Sequence, residues 1–464
     1  MFRKILIANR GEIAVRIIRA CRELGVSTVV AYSEADRHSL AVEMADEAIC
    51  IGPAPSDKSY LNISNVVSAA LVSGAEAIHP GYGFLSENAY LAEVCEQCQI
   101  AFVGPSARAI EQFHDKSAAR NRMRSAGLPV LPGVDKPVYT LDAALGIAAE
   151  IGFPVMVKAC AGGGGRGLRP AYDEAELARS FQIAQSEAQS AFGSAGLYLE
   201  ALVEGARHVE VQVLVDRYGK AIHLGERDCS LQRRHQKILE ESPCVSIDPE
   251  VRQEMGARAA AAAAAIGYEG VGTVEFLVDQ KGRYHFIEMN TRIQVEHPVS
   301  EMTTGIDLVK WQLRVAAGEP LSLDQSSVRP RGHAIECRVN AEDPAKGFAP
   351  QSGLVSSCSL PGGPGIRVDT HLFPGYQMPP YYDSLLAKVI AWGNDRHEAV
   401  SRMRRALEEF KIGGVTTNIP FHLRLLADPD FLCGRFDTHF VERWLAAEMP
   451  LLAGDAPSAV ASGA

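Results

Sequence analysis

The amino-acid sequence predicts an α/β protein of about two to four packed lobes. The chain has 464 residues, which is too long for one hydrophobic core. Its N-terminal part alternates apolar strands with amphipathic helices, and strand-like segments predominate after residue 204. Hydrophobic residues make up 47% of the chain and charged residues 22%, which is the balance of an ordinary globular protein.

The N-terminal lobe, residues 1–103, is predicted to be Rossmann-like. An apolar strand at residues 3–8 leads into an amphipathic helix, and residues 27–32 form the next strand. A strand–helix–strand unit of this kind implies a parallel sheet. The turn at residues 9–11 lacks the G-x-G-x-x-G fingerprint, so the sequence does not predict dinucleotide binding.

The rest of the chain is predicted to form five successive segments. Their boundaries follow a hinge rich in Gly and Pro near residues 127–137, the strands after residue 204, and a final stretch of Ala, Pro, Gly and Ser. The segments are linker helices at 104–129, a small lobe at 130–203, a larger lobe at 204–330, a C-terminal lobe at 331–445 and a disordered tail at 446–464.

The charge and cysteine content argue against several classes of protein. Lys and Arg number 46 against 56 Asp and Glu, and a net charge of -10 is unlike that of a nucleic-acid-binding protein. No apolar run approaches the roughly 20 residues of a membrane span. The ten scattered cysteines predict a reducing cytoplasm and no disulfide scaffold. The pair Cys95 and Cys98 is attributed to one helix face rather than to metal or redox chemistry.

A glycine-rich loop follows a strand that ends in a lysine. Lys158 is followed by four consecutive glycines at 162–165, then by Arg166 and Gly167. Consecutive glycines let backbone N–H groups approach phosphate oxygens, and the lysine supplies positive charge. The loop is not a Walker A motif, because G-x-x-x-x-G-K-[ST] is absent. The sequence therefore favours phosphate binding here, and a flexible surface loop is the alternative.

Acidic and amide side chains interrupt two apolar strands. Glu288, Asn290 and Arg292 are expected on one face of a strand, because side chains alternate between faces. Upstream, Glu275 lies among apolar neighbours, where an unpaired carboxylate would be costly, so it is expected to meet a metal or a base. Oxygen ligands beside a guanidinium suit Mg²⁺ next to an anion. A structural salt-bridge network is the alternative.

Two further charged segments carry candidate binding residues. Residues 226–237 are expected to lie between strands, and a solvated face is the alternative interpretation. The candidate ligands of an anion or a nucleotide in this segment are Gln232, His235 and Lys237. Residues 334–344 predict a charged strand with Glu336 and Arg338 on one face.

Five motifs together resemble the biotin carboxylase family of ATP-grasp ligases. In chain order they are HPGYGFLSEN at 79–88, KACAGGGGRG at 158–167, ERDCSLQRRHQK at 226–237, FIEMNTRIQVEHPV at 286–299 and ECRVNAEDP at 336–344. The resemblance extends over residues 1–445, and the five motifs in register are very specific. Carbamoyl-phosphate synthases and other ATP-grasp ligases share the metal-binding strands but not the full set.

The resemblance implies the ATP-grasp fold and the ATP-dependent carboxylation of biotin by bicarbonate through carboxyphosphate. ATP is expected between the small lobe, which acts as a lid, and the C-terminal lobe, with Mg²⁺ or Mn²⁺. The implied nucleotide contacts are Lys116, Lys158, Gly164, Gly165, Glu200, Ala201, Leu202, Val203, His208, Gln232 and His235. The implied metal ligands are Glu275, Glu288 and Asn290.

The same resemblance assigns the reacting groups. It implies Glu296 as the general base and Arg338 beside the ureido oxygen of biotin, with Lys237 and Arg292 as the other catalytic residues. The implied bicarbonate ligands are Lys237, Arg292, Gln294 and the backbone of Val295. The positions that match residues near the family's biotin pocket are Tyr82 and Asp383.

The expected partners follow from the family and from a missing motif. No biotin-attachment motif of the A-M-K-M type occurs, so biotin is expected on a separate biotin carboxyl carrier protein, with separate carboxyltransferase subunits. Acetyl-CoA carboxylase, in fatty acid biosynthesis, is the expected parent enzyme. The alternatives are an ATP-grasp ligase that activates a different carboxylate and a non-catalytic nucleotide-binding scaffold.

Some positions depart from the family pattern. The residues that replace a lysine, a serine and a methionine near the nucleotide are Ala201, Cys160 and Leu168. These changes are expected to tune nucleotide affinity rather than abolish it. A homodimer is implied by Arg19, Glu23 and Arg367, but Pro364 stands where the family has an aromatic dimer contact. Dimer formation is therefore less strongly implied than catalysis.

Overall fold

The parts of the chain described by the computed structural model are residues 1–134, 136–160, 168–192 and 195–454. Gly164 and Gly165, two of the implied nucleotide contacts, lie outside these described residues. The described chain forms a parallel α/β unit, a small antiparallel lobe and a large antiparallel sheet.

The N-terminal unit is an open parallel sheet, as the alternation of strands and helices predicts. Its elements are β1 Lys4–Ile7, α1 Gly11–Glu23, β2 Ser27–Ser33, α2 Leu40–Met44, β3 Glu47–Gly52, α3 Ile63–Ser73, β4 Ala77–His79, α4 Ala89–Gln97 and β5 Ala101–Phe102. The strand order is β3-β2-β1-β4-β5, so the loops after β1 and β4 meet at the carboxyl edge. There the Asn9 side chain donates to the carbonyl oxygens of Pro80 and Tyr82, each at 2.7 Å.

Two helices, α5 Ala107–His114 and α6 Lys116–Ser125, connect this unit to the rest of the chain. The sequence predicted linker helices at 104–129, and Asp115 divides this segment into the two helices. The Asp115 carboxylate accepts from the backbone N–H of Ala118 at 2.7 Å and so caps α6. Lys116 is consequently the first residue of α6, and it lines the cleft described below.

The small lobe packs two helices on a three-stranded antiparallel sheet. Its elements are α7 Leu141–Ile151, β6 Val155–Ala159, β7 Arg169–Ala171, α8 Glu174–Phe192 and β8 Leu197–Ala201. The strand order is β7-β6-β8. Val155, Val157 and Leu199 are fully buried in this lobe and pack with Phe181 in a hydrophobic core of its own.

The remaining elements build one large sheet and its covering helices. The first group comprises β9 Arg207–Val215, β10 Ala221–Arg233, β11 Gln236–Ser242, α9 Pro249–Ala265, β12 Gly270–Val278, β13 Tyr284–Asn290, α10 His297–Thr304, α11 Leu308–Ala316 and β14 His333–Asn340. The second comprises β15 Glu342–Asp343, β16 Ala349–Pro350, β17 Gly353–Leu354, β18 Ser357–Ser359, β19 Ile366–Thr370, β20 Gln377–Met378, β21 Leu385–Gly393, α12 Arg396–Glu409, β22 Lys411–Gly413, α13 Ile419–Leu425, α14 Pro429–Leu432 and α15 Phe440–Gly454.

Eight of these strands form an antiparallel sheet in the order β13-β12-β9-β10-β11-β14-β21-β19. The larger lobe and the C-terminal lobe therefore share one sheet, joined where β11 pairs with β14. Along β14 the side chains of Ile335, Cys337 and Val339 enter the C-terminal core. Glu336 and Arg338 point to the opposite face, as the sequence predicts.

The charged segment at residues 226–237 lies within strands, so the expectation that it lies between strands is wrong. It forms most of β10 and the start of β11. The turn consists of Arg234 and His235, whose φ angles of 50° and 63° lie in the left-handed region. The backbone hydrogen bonds of the ladder hold this segment in strand conformation. Its charged side chains are tolerated there because they find partners inside the site.

The ends of one strand and one helix also differ from expectation. β13 ends at Asn290, so Arg292 lies beyond the strand that carries Glu288. The chain leaves the ladder there and enters α10, which begins at His297 and has Pro298 in its first turn. The helix α15 continues to Gly454, past the expected start of a disordered tail at 446. Among the described residues, no helix has the length and apolar character needed to cross a membrane.

Candidate active site

A cleft of about 830 Å³ lies between the small lobe, the large sheet and the loop after β4. Every described residue that the sequence assigned to the site lines it: Tyr82, Lys116, Lys158, Glu200, Ala201, Leu202, Val203, His208, Gln232, His235, Lys237, Glu275, Glu288, Asn290, Arg292, Gln294, Val295, Glu296, Arg338 and Asp383. Motifs that are dispersed along the chain thus meet at one place because their strands and loops adjoin.

Lys237 lies at the centre of the charge network in the cleft. Its Nζ donates to Glu210 Oε2 at 2.5 Å, to Glu296 Oε1 at 2.7 Å and to Glu275 Oε1 at 3.0 Å. An ammonium group has three donors, so these carboxylates satisfy all of them. Burial would lower the pKa of Lys237, but the three carboxylates hold that pKa well above its ordinary value. Lys237 is therefore a fixed positive charge.

Glu296 connects Lys237 to Arg338. Its Oε2 accepts from Arg338 Nη2 at 2.8 Å, and Arg338 Nε donates to Glu240 Oε1 at 2.7 Å. Burial opposes ionisation of Glu296, but Lys237 and Arg338 hold its pKa well below the ordinary value. Glu296 is therefore a carboxylate within a buried, positively charged setting, and it can accept a proton.

Glu275 and Glu288 form the acidic side of the cleft. They are directly opposite each other on β12 and β13, where two like charges would repel. Cations offset this repulsion: Lys237 binds Glu275, and Lys116 Nζ lies 2.9 Å from Glu288 Oε2. Asn290 Nδ2 donates to Glu275 Oε1 at 2.8 Å. Two carboxylates and an amide on one face fit Mg²⁺ or Mn²⁺, which would take the place of the lysines as the balancing charge.

The nucleotide side of the cleft contains a lysine and a histidine that are each paired. Lys158 forms an ion pair with Glu200 between β6 and β8. His208 Nε2 lies 2.9 Å from Glu275 Oε2, and Gln232 Nε2 lies 2.8 Å from His208 Nδ1. Burial would lower the pKa of His208, but Glu275 raises it above the ordinary value. This edge therefore offers positive charge to an anion such as a phosphate chain.

The end of the cleft near Tyr82 is tied to the N-terminal unit. The Tyr82 hydroxyl donates to Glu12, and Lys388 Nζ lies 3.1 Å from Glu12 Oε1. Lys388 Nζ also donates to the carbonyl oxygen of Val295 at 2.8 Å. Asp383 lines the same end of the cleft. One buried lysine thus fixes both Tyr82 and the backbone implied in bicarbonate binding.

Arg227 is a central residue of the site that the sequence did not single out. Its side chain is fully buried and lies behind Lys237, where both contact Glu210. Its hydrogen-bond acceptors are Glu210 Oε1 at 2.5 Å, Gln212 Oε1 at 2.6 Å, Gln294 Oε1 at 2.8 Å, Thr273 Oγ1 at 3.1 Å and Ser300 Oγ at 3.1 Å. Arg227 therefore joins β9, β12, α10 and the loop before α10.

Three acidic residues were also missed. Glu87 accepts from Arg292 Nε and from the backbone N–H of Thr291, both at 3.0 Å, and it thus holds the loop after β13. Glu210 and Glu240 bind Lys237 and Arg338 as described above. The sequence contained a signal for Glu210, because His208, Glu210 and Gln212 alternate with valines and would share one face of a strand. Glu87 also lies inside one of the recognised motifs.

Comparison with protein families accounts for nearly the whole chain. Residues 1–110 match the biotin carboxylase N-terminal domain, and residues 336–443 match the biotin carboxylase C-terminal domain. Residues 115–324 match the ATP binding domain of the carbamoyl-phosphate synthase L chain. The chain belongs to the biotin carboxylase family.

Individual biotin carboxylases and related proteins are close to this chain in sequence. It is 57% identical to biotin carboxylase 1 of Bacillus subtilis, over 96% of this chain and 99% of that protein. It is 52% identical to one of the pyruvate carboxylase subunits of Methanothermobacter thermautotrophicus, over 97% of this chain and 92% of that protein. The family resemblance is thereby confirmed.

A solved structure has the same fold. The biotin carboxylase domain dimer of Hydrogenobacter thermophilus 2-oxoglutarate carboxylase, in complex with MgADP, ADP and bicarbonate, superimposes with a TM-score of 0.93. It is 51% identical, over 97% of this chain and 98% of that one. The prediction of an α/β chain with a Rossmann-like N-terminal unit and an ATP-grasp fold is confirmed.

Proposed function

We propose that this chain uses ATP, Mg²⁺ or Mn²⁺ and bicarbonate to carboxylate biotin on a separate carrier protein. One observation carries the proposal: an unbroken series of ion pairs runs from Glu275 through Lys237 and Glu296 to Arg338, with contacts of 3.0, 2.7 and 2.8 Å. It joins the acidic, metal-facing edge to a guanidinium at the other side of the cleft. A small anion bound along it would meet cations and a base together.

Activation of bicarbonate is assigned to Glu296. Bicarbonate bound by Lys237 and Arg292 would draw the Lys237 ammonium away from Glu296 and raise the proton affinity of that carboxylate. The bicarbonate O–H proton then passes to Glu296, and a carbonate oxygen attacks the γ-phosphorus of ATP with ADP as the leaving group. Mg²⁺ held by Glu275, Glu288 and Asn290 would supply positive charge to the phosphate oxygens.

Transfer to biotin is assigned to the Arg338 side of the cleft. Carboxyphosphate gives CO₂ and phosphate, the phosphate takes the N1 proton of biotin, and N1 attacks CO₂. Negative charge develops on the ureido oxygen as the N1 proton leaves, before N1 attacks CO₂, and Arg338 can donate a hydrogen bond to that oxygen. Hydrogen-bond donors of this kind contribute about 2.7–4 kcal/mol to transition-state stabilisation.

The first test is ADP release by the purified protein with Mg²⁺-ATP. Turnover should require bicarbonate and should rise when free biotin is added, because biotin consumes the CO₂ formed. Dependence on bicarbonate without a response to biotin would favour a ligase with another acceptor. Absence of turnover under both conditions would favour a nucleotide-binding scaffold.

Replacing Arg338 by alanine should separate nucleotide binding from the transfer of the carboxyl group to biotin. We expect Arg338→Ala to lower biotin-dependent turnover by about 10²–10³-fold, since one oxyanion-type donor is removed. Nucleotide affinity should persist, because the phosphate-facing residues are intact, and calorimetric titration with ADP measures it. Arg435→Ala is the matched control, since Arg435 is exposed and forms its ion pair with the surface residue Asp430. Unchanged biotin-dependent turnover in Arg338→Ala would reject this role.

Assembly is the second part of the proposal. We infer a homodimer that acts with a biotin carboxyl carrier protein and carboxyltransferase subunits in the cytoplasm. Arg19, Glu23 and Pro364 are exposed, with Glu23 paired to Lys310, whereas Arg367 is half-buried and binds Glu301 at 2.7 Å. The free state of the cysteines suits a reducing compartment. Light scattering tests the dimer: the wild type should have the mass of two chains and Arg19→Glu a lower mass. A single-chain mass for the wild type would contradict the dimer, and a dimer mass for both proteins would reject the role of Arg19.

The parent enzyme is proposed to be acetyl-CoA carboxylase. Two relatives are named as parts of pyruvate carboxylase and 2-oxoglutarate carboxylase, so parent enzymes that carboxylate a different final substrate are the alternative. The acceptor is chosen outside this cleft, by the carboxyltransferase. Carboxylation assays that pair this chain with carriers and carboxyltransferases of each type should show the highest kcat/KM with the acetyl-CoA set.

A further inference from the structure

Glu336 is a buried carboxyl group that has no part in the chemistry above. It is fully buried in β14, and neither of its oxygens has a hydrogen-bond partner among the described residues. Glu240 on β11 is fully buried as well. Its Oε1 binds Arg338, while its Oε2 has no partner in the part of the chain that the structure describes. A buried carboxylate without a partner is costly, so a compensating proton or cation is required.

Glu240 and Glu336 are immediate neighbours in the sheet. They are opposite each other in the β11–β14 ladder, so both side chains leave the sheet on one face, with Cβ atoms about 4.5–5.5 Å apart. Double ionisation of two fully buried carboxyl groups that face each other in this way is unfavourable, so the pair is expected to retain a proton.

The cations near this pair are already engaged. The ionisable side chains around this pair are Arg338 on β14, Lys237 on β11, Lys388 on β21, Glu12 and Arg16 on α1, Glu296 before α10, and His297 and Glu301 on α10; Lys237 and Arg16 are engaged by carboxylates. Arg338 binds Glu240 and Glu296, and Lys388 binds Glu12 and the Val295 carbonyl. Burial, together with the nearby positive charge of Lys388, keeps the pKa of His297 well below its ordinary value, so His297 is neutral.

The direction of the pKa shifts agrees with this geometry. Burial raises the pKa of Glu336 well above its ordinary value, against the opposing effect of Lys388. Burial also raises the pKa of Glu240, to about 7, although Arg338 opposes the shift. Both carboxyl groups therefore bind a proton more tightly than an exposed glutamate does.

We propose that Glu336 is a neutral carboxylic acid whose O–H donates to Glu240, so that the pair presents one negative charge to Arg338. The proton stays within the pair, and no bond to a substrate forms or breaks. Glu240 and Glu336 are therefore positioning residues. The consequence for biotin rests on the proposed function of Arg338: a second negative charge would weaken the positive field that Arg338 offers to the ureido oxygen.

This arrangement predicts a specific pH dependence. As the pH rises through the raised pKa of the pair, the shared proton is lost and a second charge appears beside Arg338. Biotin-dependent ADP release should then fall on the alkaline side. Bicarbonate-dependent ADP release without biotin should show a smaller fall, because no charge develops on a ureido oxygen and Arg338 acts on that step only through Glu296.

The decisive variant is Glu336→Gln, which has the shape of glutamic acid and stays a neutral donor at every pH. Its biotin-dependent turnover near pH 7 should lie within about twofold of the wild type, and the alkaline fall should disappear. Glu240→Gln removes the charge that orients Arg338, so the KM for biotin should rise by about tenfold or more with the KM for ATP unchanged. An alkaline fall that persists in Glu336→Gln would overturn the link to Arg338.

Infrared spectroscopy tests, independently of activity, whether the Glu240–Glu336 pair holds a proton. The infrared difference spectrum between wild type and Glu336→Gln near pH 7 should contain the C=O stretch of a protonated carboxyl group. If Glu336→Gln does not fold, the same band is sought by pH titration of wild-type protein labelled with ¹³C at glutamate carboxyl groups. Absence of the band refutes the shared proton. A band in a protein that shows no response to biotin would leave the pair established and reject only the proposed function.

Stability gives an independent check. The folded state keeps a proton on the pair that the unfolded chain releases above the ordinary pKa of a glutamate. Relative to Glu336→Gln, the wild type should therefore lose stability as the pH rises through the raised pKa, which urea midpoints measure. A difference in midpoint that does not change with pH would contradict the proposal.

Discussion

Arg227 holds several residues of the cleft in place, although it does not line the cleft itself. Its five hydrogen bonds hold Glu210, which in turn holds Lys237, and they also fix Gln294, which is expected to bind bicarbonate. A guanidinium suits this place because its donors lie in a fixed plane and can serve several acceptors at once. The positions of Lys237 and Gln294 are therefore consequences of one buried side chain.

Removing the Arg227 guanidinium should destabilise the whole protein. We expect Arg227→Met to lower the free energy of unfolding by about 3–5 kcal/mol, because Glu210 keeps a buried charge with one partner fewer. Urea denaturation followed by circular dichroism measures this. Adding Glu210→Gln to Arg227→Met should recover part of the loss, since the uncompensated charge is then gone. The control Arg435→Met, at an exposed position, should change stability by no more than about 0.5 kcal/mol. A loss below that size in Arg227→Met would contradict the account.

The sequence predicted the residues that face the cleft better than those behind them. Lys237 and Gln232 could be found because motifs mark them, and the structure places both in the cleft. Arg227 could not be selected from its charged neighbours, because Glu226 and Asp228 are buried as well. Which of them faces the site depends on the irregular pairing of β10 with β9 between His223 and Glu226. Glu240 required knowledge that β11 pairs with β14, which is a contact between distant segments.

Among the elements, α13 has a clear effect on the site through β14. Asn418 Nδ2 donates to the carbonyl oxygen of Arg338 at 3.0 Å, and His422 Nε2 lies 2.8 Å from the same oxygen. Asn418 also exchanges hydrogen bonds with the backbone of Asn340. Burial lowers the pKa of His422 to about 4, so its ring is neutral and can donate to the carbonyl. The end of β14 is thus fixed by a helix outside the cleft.

Weakening this contact should affect biotin more than ATP. We expect Asn418→Ala to lower kcat/KM for biotin by about tenfold, because small displacements of a catalytic group are costly, and to leave the KM for ATP unchanged. Asn62→Ala is the matched control: Asn62 caps α3 and lies outside the cleft, so it should cost about 1 kcal/mol of stability without any change in KM. Equal changes in both KM values for Asn418→Ala would show a general loss of structure instead.

Elements with strong periodicity were predictable, and very short ones were not. The sequence predicted strands after residue 204, and β9, β12 and β13 could be recognised because each runs for seven residues or more. The strands β15, β16, β17 and β20 have two residues each, which is too short for any period to be visible. The division between α5 and α6 depended on one capping aspartate.

At the scale of the whole molecule, the small lobe differs from the rest because it has a separate sheet and a separate core. The eight-stranded sheet passes through both the larger and the C-terminal lobes, so these two are held together by the β11–β14 ladder. The small lobe has no such ladder among the described residues. An isolated bridge from Val130 to Phe286 joins the segment before it to β13. The nucleotide is therefore expected to add an important link between the small lobe and the large sheet.

Hydrogen exchange should detect that link. We expect Mg²⁺-ATP to slow amide exchange in β6 and β8, whose Lys158 and Glu200 line the cleft, and to leave β19, the strand at the far edge of the large sheet, unchanged. Mass spectrometry of peptides from both regions measures the effect. Lys158→Ala should remove most of the protection, whereas Lys220→Ala, which alters a surface pair with Asp324, should keep it. Equal slowing in both sheets would mean that the nucleotide stabilises the molecule as one unit, and closure of a separate lid would then be rejected.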